Sequence, residues 1–390
     1  MNFRNRNNAV PKAGRVDPLL LVLTILLAGI GVVMVYSASF VRAEQAAGSG
    51  IYFMKRQLVF LAIGVLVMLS IGRVNYHFWS RGKVPYILFG GTMLLLLLTF
   101  IPPFGREVAG THRWLVFPAR FQPGELAKVA TVIILAFTAS RLGERISELK
   151  QGVAKMVIWP AAFIVIIHLE KDLGTCVVIA AITGALIYIA GGPLKYILAT
   201  GGAVTALGAV AILTQGYRMA RIMTFLEPWK DTQGKGYQIV QSLIAFGSGG
   251  VTGLGLGKGK QKLFYLPAAH TDFIMANIAE ELGMIGVWAI IALFSLLLYR
   301  AFRVAMKAPD RFGMLLAAGI SCLLSFHVVI NIMVVMSLLP NKGLTLPFIS
   351  YGGSSMLVNF FMMGLLLSVS RWRGACDEHG EAPCFGEVAR

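Results

Sequence analysis

Apolar runs long enough to cross a bilayer recur from one end of the chain to the other. The first, Pro18 to Phe40, holds no charged residue. The hydrocarbon core is ~30 Å thick, and every backbone polar group inside it must be satisfied internally, so such runs form helices. Ten spans are expected, roughly 18–40, 57–72, 84–101, 124–140, 156–169, 173–191, 196–215, 273–299, 312–338 and 351–370. The fifth and sixth are separated by Glu170, Lys171 and Asp172. The fold class expected is therefore an all-α polytopic membrane protein of about ten transmembrane helices. A polar tail (1–17) precedes one membrane domain (18–371), a tail (372–390) follows it, and a long extracytoplasmic loop (about 216–272) joins the seventh and eighth spans.

Composition agrees. The chain is 14% charged, against about 25% in a typical soluble domain. This excludes a soluble enzyme, a disordered chain and a secreted disulfide scaffold. Cys176 and Cys322 fall in apolar runs, whereas Cys376 and Cys384 flank His379 in the C-terminal tail, one ligand short of a zinc site. Residues 1–17 are polar and basic and lead into a full-length span, which reads as a first membrane helix rather than a cleaved signal.

The net charge is +17. On a soluble chain this would suggest nucleic acid, but basic loops also orient membrane proteins. Lys and Arg are somewhat more numerous on the side of the termini, which makes that side cytoplasmic. The outer side is basic as well, which suits an anionic ligand held at the membrane or is charge with no specific ligand.

In the long loop Arg218 and Arg221 are three apart and would share a helical face, as a grip for a diphosphate or as a pair at headgroup level. The run Gly253 to Lys260 is rich in Gly and Lys but lacks the spacing and the Ser or Thr of a phosphate-binding loop, so a flexible loop is expected. The loop ends His270-Thr271-Asp272-Phe273. Thr271 or Asp272 would serve as an N-cap of the next helix; alternatively Asp272 is a general base at membrane depth. In the spans, Glu125 and Lys128 are three apart and can pair, while Glu280-Glu281 lie beyond Asp272. His168 and His327 read as buried polar groups satisfied by neighbouring helices. A last outer stretch, Leu339 to Ser355, holds two prolines, several small residues, Ser350, Tyr351 and a single charge, Lys342.

Several separated motifs resemble the SEDS family (shape, elongation, division and sporulation proteins) over about residues 18–371: Arg113-Trp114 with Gln122-Pro123 and Glu125…Lys128, Asp172-Leu173-Gly174-Thr175, Pro228-Trp229 with Gly236-Tyr237-Gln238, His270-Thr271-Asp272-Phe273, and Lys342 to Ser355. Gln261-Lys262-Leu263 and Lys342 to Pro347 look most like the division branch. Three positions depart from the family pattern: Ala268-Ala269 where Glu is frequent, Gly124 where Ser is usual, and Glu170-Lys171 where Gln-Pro is usual.

The resemblance implies a peptidoglycan glycosyltransferase of the bacterial cytoplasmic membrane, active at the division septum, with both termini cytoplasmic. Its substrate would be lipid II, a disaccharide-pentapeptide on undecaprenyl pyrophosphate. Asp272 is the expected catalytic residue. The expected substrate-binding set is Lys342, Arg218, Arg221, Arg113, Glu125, Lys128, His270, Thr271, Ser350 and Tyr351. A class B penicillin-binding transpeptidase and other division proteins are the implied partners, with membrane lipids around them and no nucleic acid. No metal ligand is assigned, although Mg or Mn would suit a pyrophosphate leaving group. Two rival functions are a lipid II flippase using Glu125, Lys128, Glu280 and Glu281, and a non-enzymatic division scaffold.

Overall fold

The computed structural model describes residues 14–108, 111–116, 120–196, 198, 201–202, 223, 225–234, 236–263, 265–340 and 343–372. Most of the expected seventh span lies outside them, as do Arg218, Arg221 and Lys342, most of the N-terminal tail, and all the C-terminal tail after Trp372.

Helix α1 (Pro18–Ala47) starts where its sequence says it should. Pro18 sets the first turn, and the Asp17 carboxylate accepts from Leu19 N at 3.1 Å and Leu20 N at 3.4 Å. Then come α2 (Tyr52–Arg73), α3 (Val84–Leu98), α4 (Pro123–Leu142), α5 (Ala154–Leu169) and α6 (Leu173–Ile189). After the undescribed stretch follow α7 (Tyr237–Gly249), α8 (Ile274–Met306), α9 (Arg311–Val335) and α10 (Gly353–Arg371). Among the described residues, helices occupy nine of the ten expected segments. Among the described residues, six helical segments, Leu149–Leu169 included, are long and apolar enough to cross a membrane on those grounds alone. The chain is a multi-pass helical membrane protein.

Helix α4 lies at the centre, packed against α3, α5, α6 and α9, and its first five turns are almost wholly buried. Its two charges are tolerable because neighbouring helices, not lipid, enclose them. Peripheral helices carry large exposed apolar side chains, such as Leu66 on α2, Ile87 on α3 and Val165 on α5. In water these would be a liability; against acyl chains they are the expected outer face.

Two of the connections between helices carry structure of their own. In the 102–123 connection, β1 (Gly105–Val108) pairs antiparallel with β2 (Thr111–Leu115), which places Arg113 on a strand. The long loop contains α7, and its glycine-rich run is not flexible but folded onto α8. That helix breaks at Gly283 (φ 66°, ψ −169°), a conformation open to glycine. A Cβ there would sit 2.3 Å from Gly253 N. The backbone groups freed by the break pair with the loop: Leu254 N donates to Glu280 O (3.0 Å), Gly255 N to Glu281 O (2.9 Å) and Met284 N to Gly250 O (3.0 Å). The eighth span is thus two helical pieces. Its N-terminal piece, 274–282, carries Glu280 and Glu281.

Candidate active site

The capping expectation at the start of α8 is not met. The helix begins at Ile274 with Phe273 at its boundary and no side-chain cap. Thr271 instead closes a local turn, its N and Oγ1 both donating to Ala268 O (3.0 and 3.2 Å). Among the described residues nothing donates a hydrogen bond to the Asp272 carboxylate.

What fixes Asp272 is its backbone. Asn331 of α9 donates from Nδ2 to Asp272 O (3.0 Å) and to Leu344 O (2.6 Å). Ser350 Oγ donates to Thr271 O (2.6 Å) and accepts from Leu346 N (2.9 Å). Tyr351 N donates to His270 O (3.0 Å). Phe273 and Ile274 are fully buried directly after the aspartate. The stretch 343–351 therefore clasps 268–273 along its length. A Cβ on residue 343 would lie 2.8 Å from Asp272 Oδ2, so glycine there lets main chain pass beside the carboxylate. Gly343 directly follows Lys342.

Burial pushes the Asp272 carboxyl up to about 6, with the Arg113 guanidinium opposing the shift. Arg113 acts in the same sense on Glu170, in the turn between α5 and α6. There burial prevails and raises the carboxyl to about 8, although Thr99 Oγ1 donates to it at 2.9 Å. His270 packs against Phe53 (ring centroids 4.9 Å apart) and Tyr351 (5.7 Å). Burial lowers its imidazole to about 4, so it is neutral at physiological pH. The Asp-Leu-Gly-Thr motif is a capping device: Asp172 caps α6 through Thr175 N (3.2 Å) and Thr175 Oγ1 (3.0 Å), and accepts from Gln122 Nε2 (3.3 Å).

Glu125 and Lys128 pair as expected, at 2.8 Å, with Lys128 only 1% exposed. Lys128 Nζ also lies 2.9 Å from His327 Nε2 on α9. His327 is thus buried as expected and is partnered at Nε2, but its Nδ1 has no partner among the described residues, whereas His168 is exposed on α5. Asn331 follows His327 by one helical turn on the same helix. Asn331 was not singled out from the sequence, although an asparagine four residues from a histidine in an apolar run was the available signal.

Glu280 and Glu281 face the glycine-rich run. Glu280 accepts from Lys260 N (2.8 Å) and Gln261 N, and Glu281 from Gly257 N (3.1 Å). Glu281 also binds Ser37 Oγ of α1 and pairs with Lys262 Nζ at 2.8 Å. Both carboxylates are thereby committed to holding the glycine-rich loop against α1 and α8.

The family model described as a cell cycle protein, FTSW_RODA_SPOVE, matches residues 18–374. The chain belongs to this FtsW, RodA and SpoVE family. It is 43% identical over 363 residues to a probable peptidoglycan glycosyltransferase FtsW of Geobacter sp. (strain M18), covering 92% of this chain and 98% of that one. It is 41% identical over 360 residues to stage V sporulation protein E of Bacillus subtilis (strain 168), covering 91% and 97%. Among solved structures, a chain described under structural coordination of polymerization and crosslinking by a peptidoglycan synthase complex matches with TM-score 0.76 and 30% identity, covering 92% of this chain and 98% of that one. The rod shape determining protein RodA of Thermus thermophilus matches with TM-score 0.67 and 27% identity over the same shares.

Proposed function

We propose that this protein is a peptidoglycan glycosyltransferase that polymerises lipid II into β-1,4-linked glycan on the outer face of a bacterial cytoplasmic membrane, with both termini cytoplasmic. The observation that carries the chemistry is the Asp272 carboxylate: held in place by main-chain bonds, free of a side-chain partner among the described residues, and raised toward neutrality. Family membership and the relatives' names support the activity.

The acceptor is the 4-hydroxyl of a GlcNAc, a weak nucleophile. Asp272 takes its proton as the hydroxyl oxygen bonds to C1 of the donor sugar, and a raised carboxyl is the better matched base. The bond from C1 to the pyrophosphate oxygen breaks through an oxocarbenium-like state, and undecaprenyl pyrophosphate leaves with the electron pair. One displacement inverts the α-linked donor to a β-linked product. Arg113, with Arg218, Arg221 and Lys342, would meet the charge on the leaving pyrophosphate. A divalent ion could share that task. Among the described residues no three His, Cys, Asp or Glu side chains gather as its ligands.

His270, Thr271, Ser350 and Tyr351 would shape the wall around the acceptor. Glu125 and Lys128 would act from below, through the column that reaches Asn331. The partner would be a class B penicillin-binding transpeptidase at the septum, which cross-links the strands. The flippase reading gains no support from Glu125, Lys128, Glu280 and Glu281, because each is engaged in a fixed contact.

The test is polymerisation of lipid II by purified protein, with and without the transpeptidase, comparing wild type with Asp272→Ala. Glycan strands from wild type alone support the reading. No strands from either, with lipid II binding demonstrated, overturns it.

A further inference from the structure

At the end of the bundle opposite Asp272, a cleft of about 600 Å³ opens between α1, α2 and α10. Its floor is apolar, from Leu21, Leu69 and Leu367, and its rim carries Arg15, Arg73 and Arg371. These arginines come from three separate parts of the chain. Backbone bonds bring two of them together: Gly14 N donates to Arg371 O (2.8 Å) and Asp17 N to Ser370 Oγ (3.2 Å). The acid nearest to Arg15 in sequence, Asp17, is already engaged. It caps α1 and pairs with Arg300 at 2.6 Å. Among the described residues none of the three arginines has a carboxylate partner.

Three guanidiniums around one opening repel one another unless an anion sits between them. Arginine prefers phosphate oxygens, which its planar fork grips two at a time. Scattered arginines on this side of a membrane protein would serve orientation alone. Convergence on one cleft with a hydrocarbon floor asks for a ligand with both a phosphate and an alkyl chain.

We propose that this cleft binds an anionic glycerophospholipid of the surrounding leaflet, its phosphate among Arg15, Arg73 and Arg371 and an acyl chain along Leu21, Leu69 and Leu367. Basic pockets between transmembrane helices hold anionic headgroups in this way. The bound lipid would tie the segment before α1 to the end of α10.

The experiment uses delipidated full-length protein in detergent, titrated with phosphatidylglycerol, cardiolipin or phosphatidylcholine. Retained lipid is read by native mass spectrometry, and thermal stability is read alongside. Phosphatidylglycerol and cardiolipin should be retained and stabilise, while phosphatidylcholine should not. Each Arg→Gln change should weaken retention about fivefold, and the triple change about a hundredfold. Arg73→Gln alone guards against misfolding of the triple variant, and the melting temperature without lipid reports fold integrity. Equal retention of phosphatidylglycerol by wild type and Arg73→Gln overturns the proposal, as does equal retention of the anionic and zwitterionic lipids. Preferential retention of a polyprenyl phosphate over phosphatidylglycerol would overturn it in favour of a substrate-type lipid. Failure of every lipid, together with destabilisation on neutralising Asp377, Glu378 and Glu381, would overturn it in favour of the chain's own acidic tail.

Discussion

Asn331 holds Asp272 by its main chain. One side-chain nitrogen donates to Asp272 O at 3.0 Å and to Leu344 O at 2.6 Å. The aspartate segment and the segment that begins at Gly343 are thus fixed to the same rung of α9. Neither bond uses the carboxylate, so position is set without engaging the group proposed to take the proton. Asn331→Ala removes both donors. A displacement of about 1 Å at a reacting group costs roughly a hundredfold in rate. A fall of that order in kcat is expected, with KM little changed. Asn331→Leu should behave alike, since it fills space but donates nothing. Initial rates of lipid II polymerisation against substrate concentration decide this, and a change confined to KM would assign Asn331 to substrate binding.

The pH profile should report Asp272. Its carboxyl is raised to about 6, so the base form is lost as pH falls through that value. The polymerisation rate should decline tenfold per pH unit well below 6 and level off above it. Asp272→Asn keeps the shape and removes the base, and should lower the rate by roughly a hundredfold or more on the plateau above pH 6, with the gap to wild type closing as pH falls below it. Unchanged turnover in Asp272→Asn would remove Asp272 from proton transfer.

Glu170 governs stability rather than rate. Its carboxyl rises from an ordinary 4.5 to about 8 in the folded protein. Between those values the folded state holds a proton that the unfolded chain has released, so stability is greatest below 4.5 and is lost as pH rises through about 8. The limit is about 1.4 kcal/mol per pH unit. Wild type should therefore melt at progressively lower temperature from pH 6.5 to 8. Glu170→Gln keeps the acceptor for Thr99 without the titration, and its melting curve should be flat over the same range. Parallel slopes would show that another group titrates.

The bundle was legible because hydrocarbon permits so little else: an apolar run of spanning length has to be a helix, and among the described residues nine of the ten expected segments are helical. The Glu125–Lys128 pair was legible from its spacing of three. The outer architecture was not. Nothing local marks Gly283 as a helix break, because its φ of 66° is dictated by a loop thirty residues earlier in the chain. The glycine-rich run looked mobile because its partners, Glu280 and Glu281, are far off in sequence and bind its main chain rather than its side chains. Asp272 was legible as a border residue, but its freedom from capping was not, since local sequence favours the cap. Asn331 was overlooked for a related reason: its partners are carbonyl oxygens, which leave no trace in the residue types around them.

The buried column in the membrane should respond asymmetrically to mutation. Lys128 is 1% exposed, pairs with Glu125 at 2.8 Å and meets His327 at 2.9 Å. Removing one charge strands the other in low dielectric, which typically costs about 3–5 kcal/mol, whereas replacing both by apolar groups of similar size is often close to neutral. Lys128→Met and Glu125→Leu should each lower the melting temperature sharply and reduce yield. The double variant should recover most of that loss while remaining less active, because His327 and the turn of α9 that carries Asn331 lose their anchor. Melting temperatures of the four proteins close a double-mutant cycle. Additive losses would mean that the two charges do not depend on each other and that the column is two separate contacts.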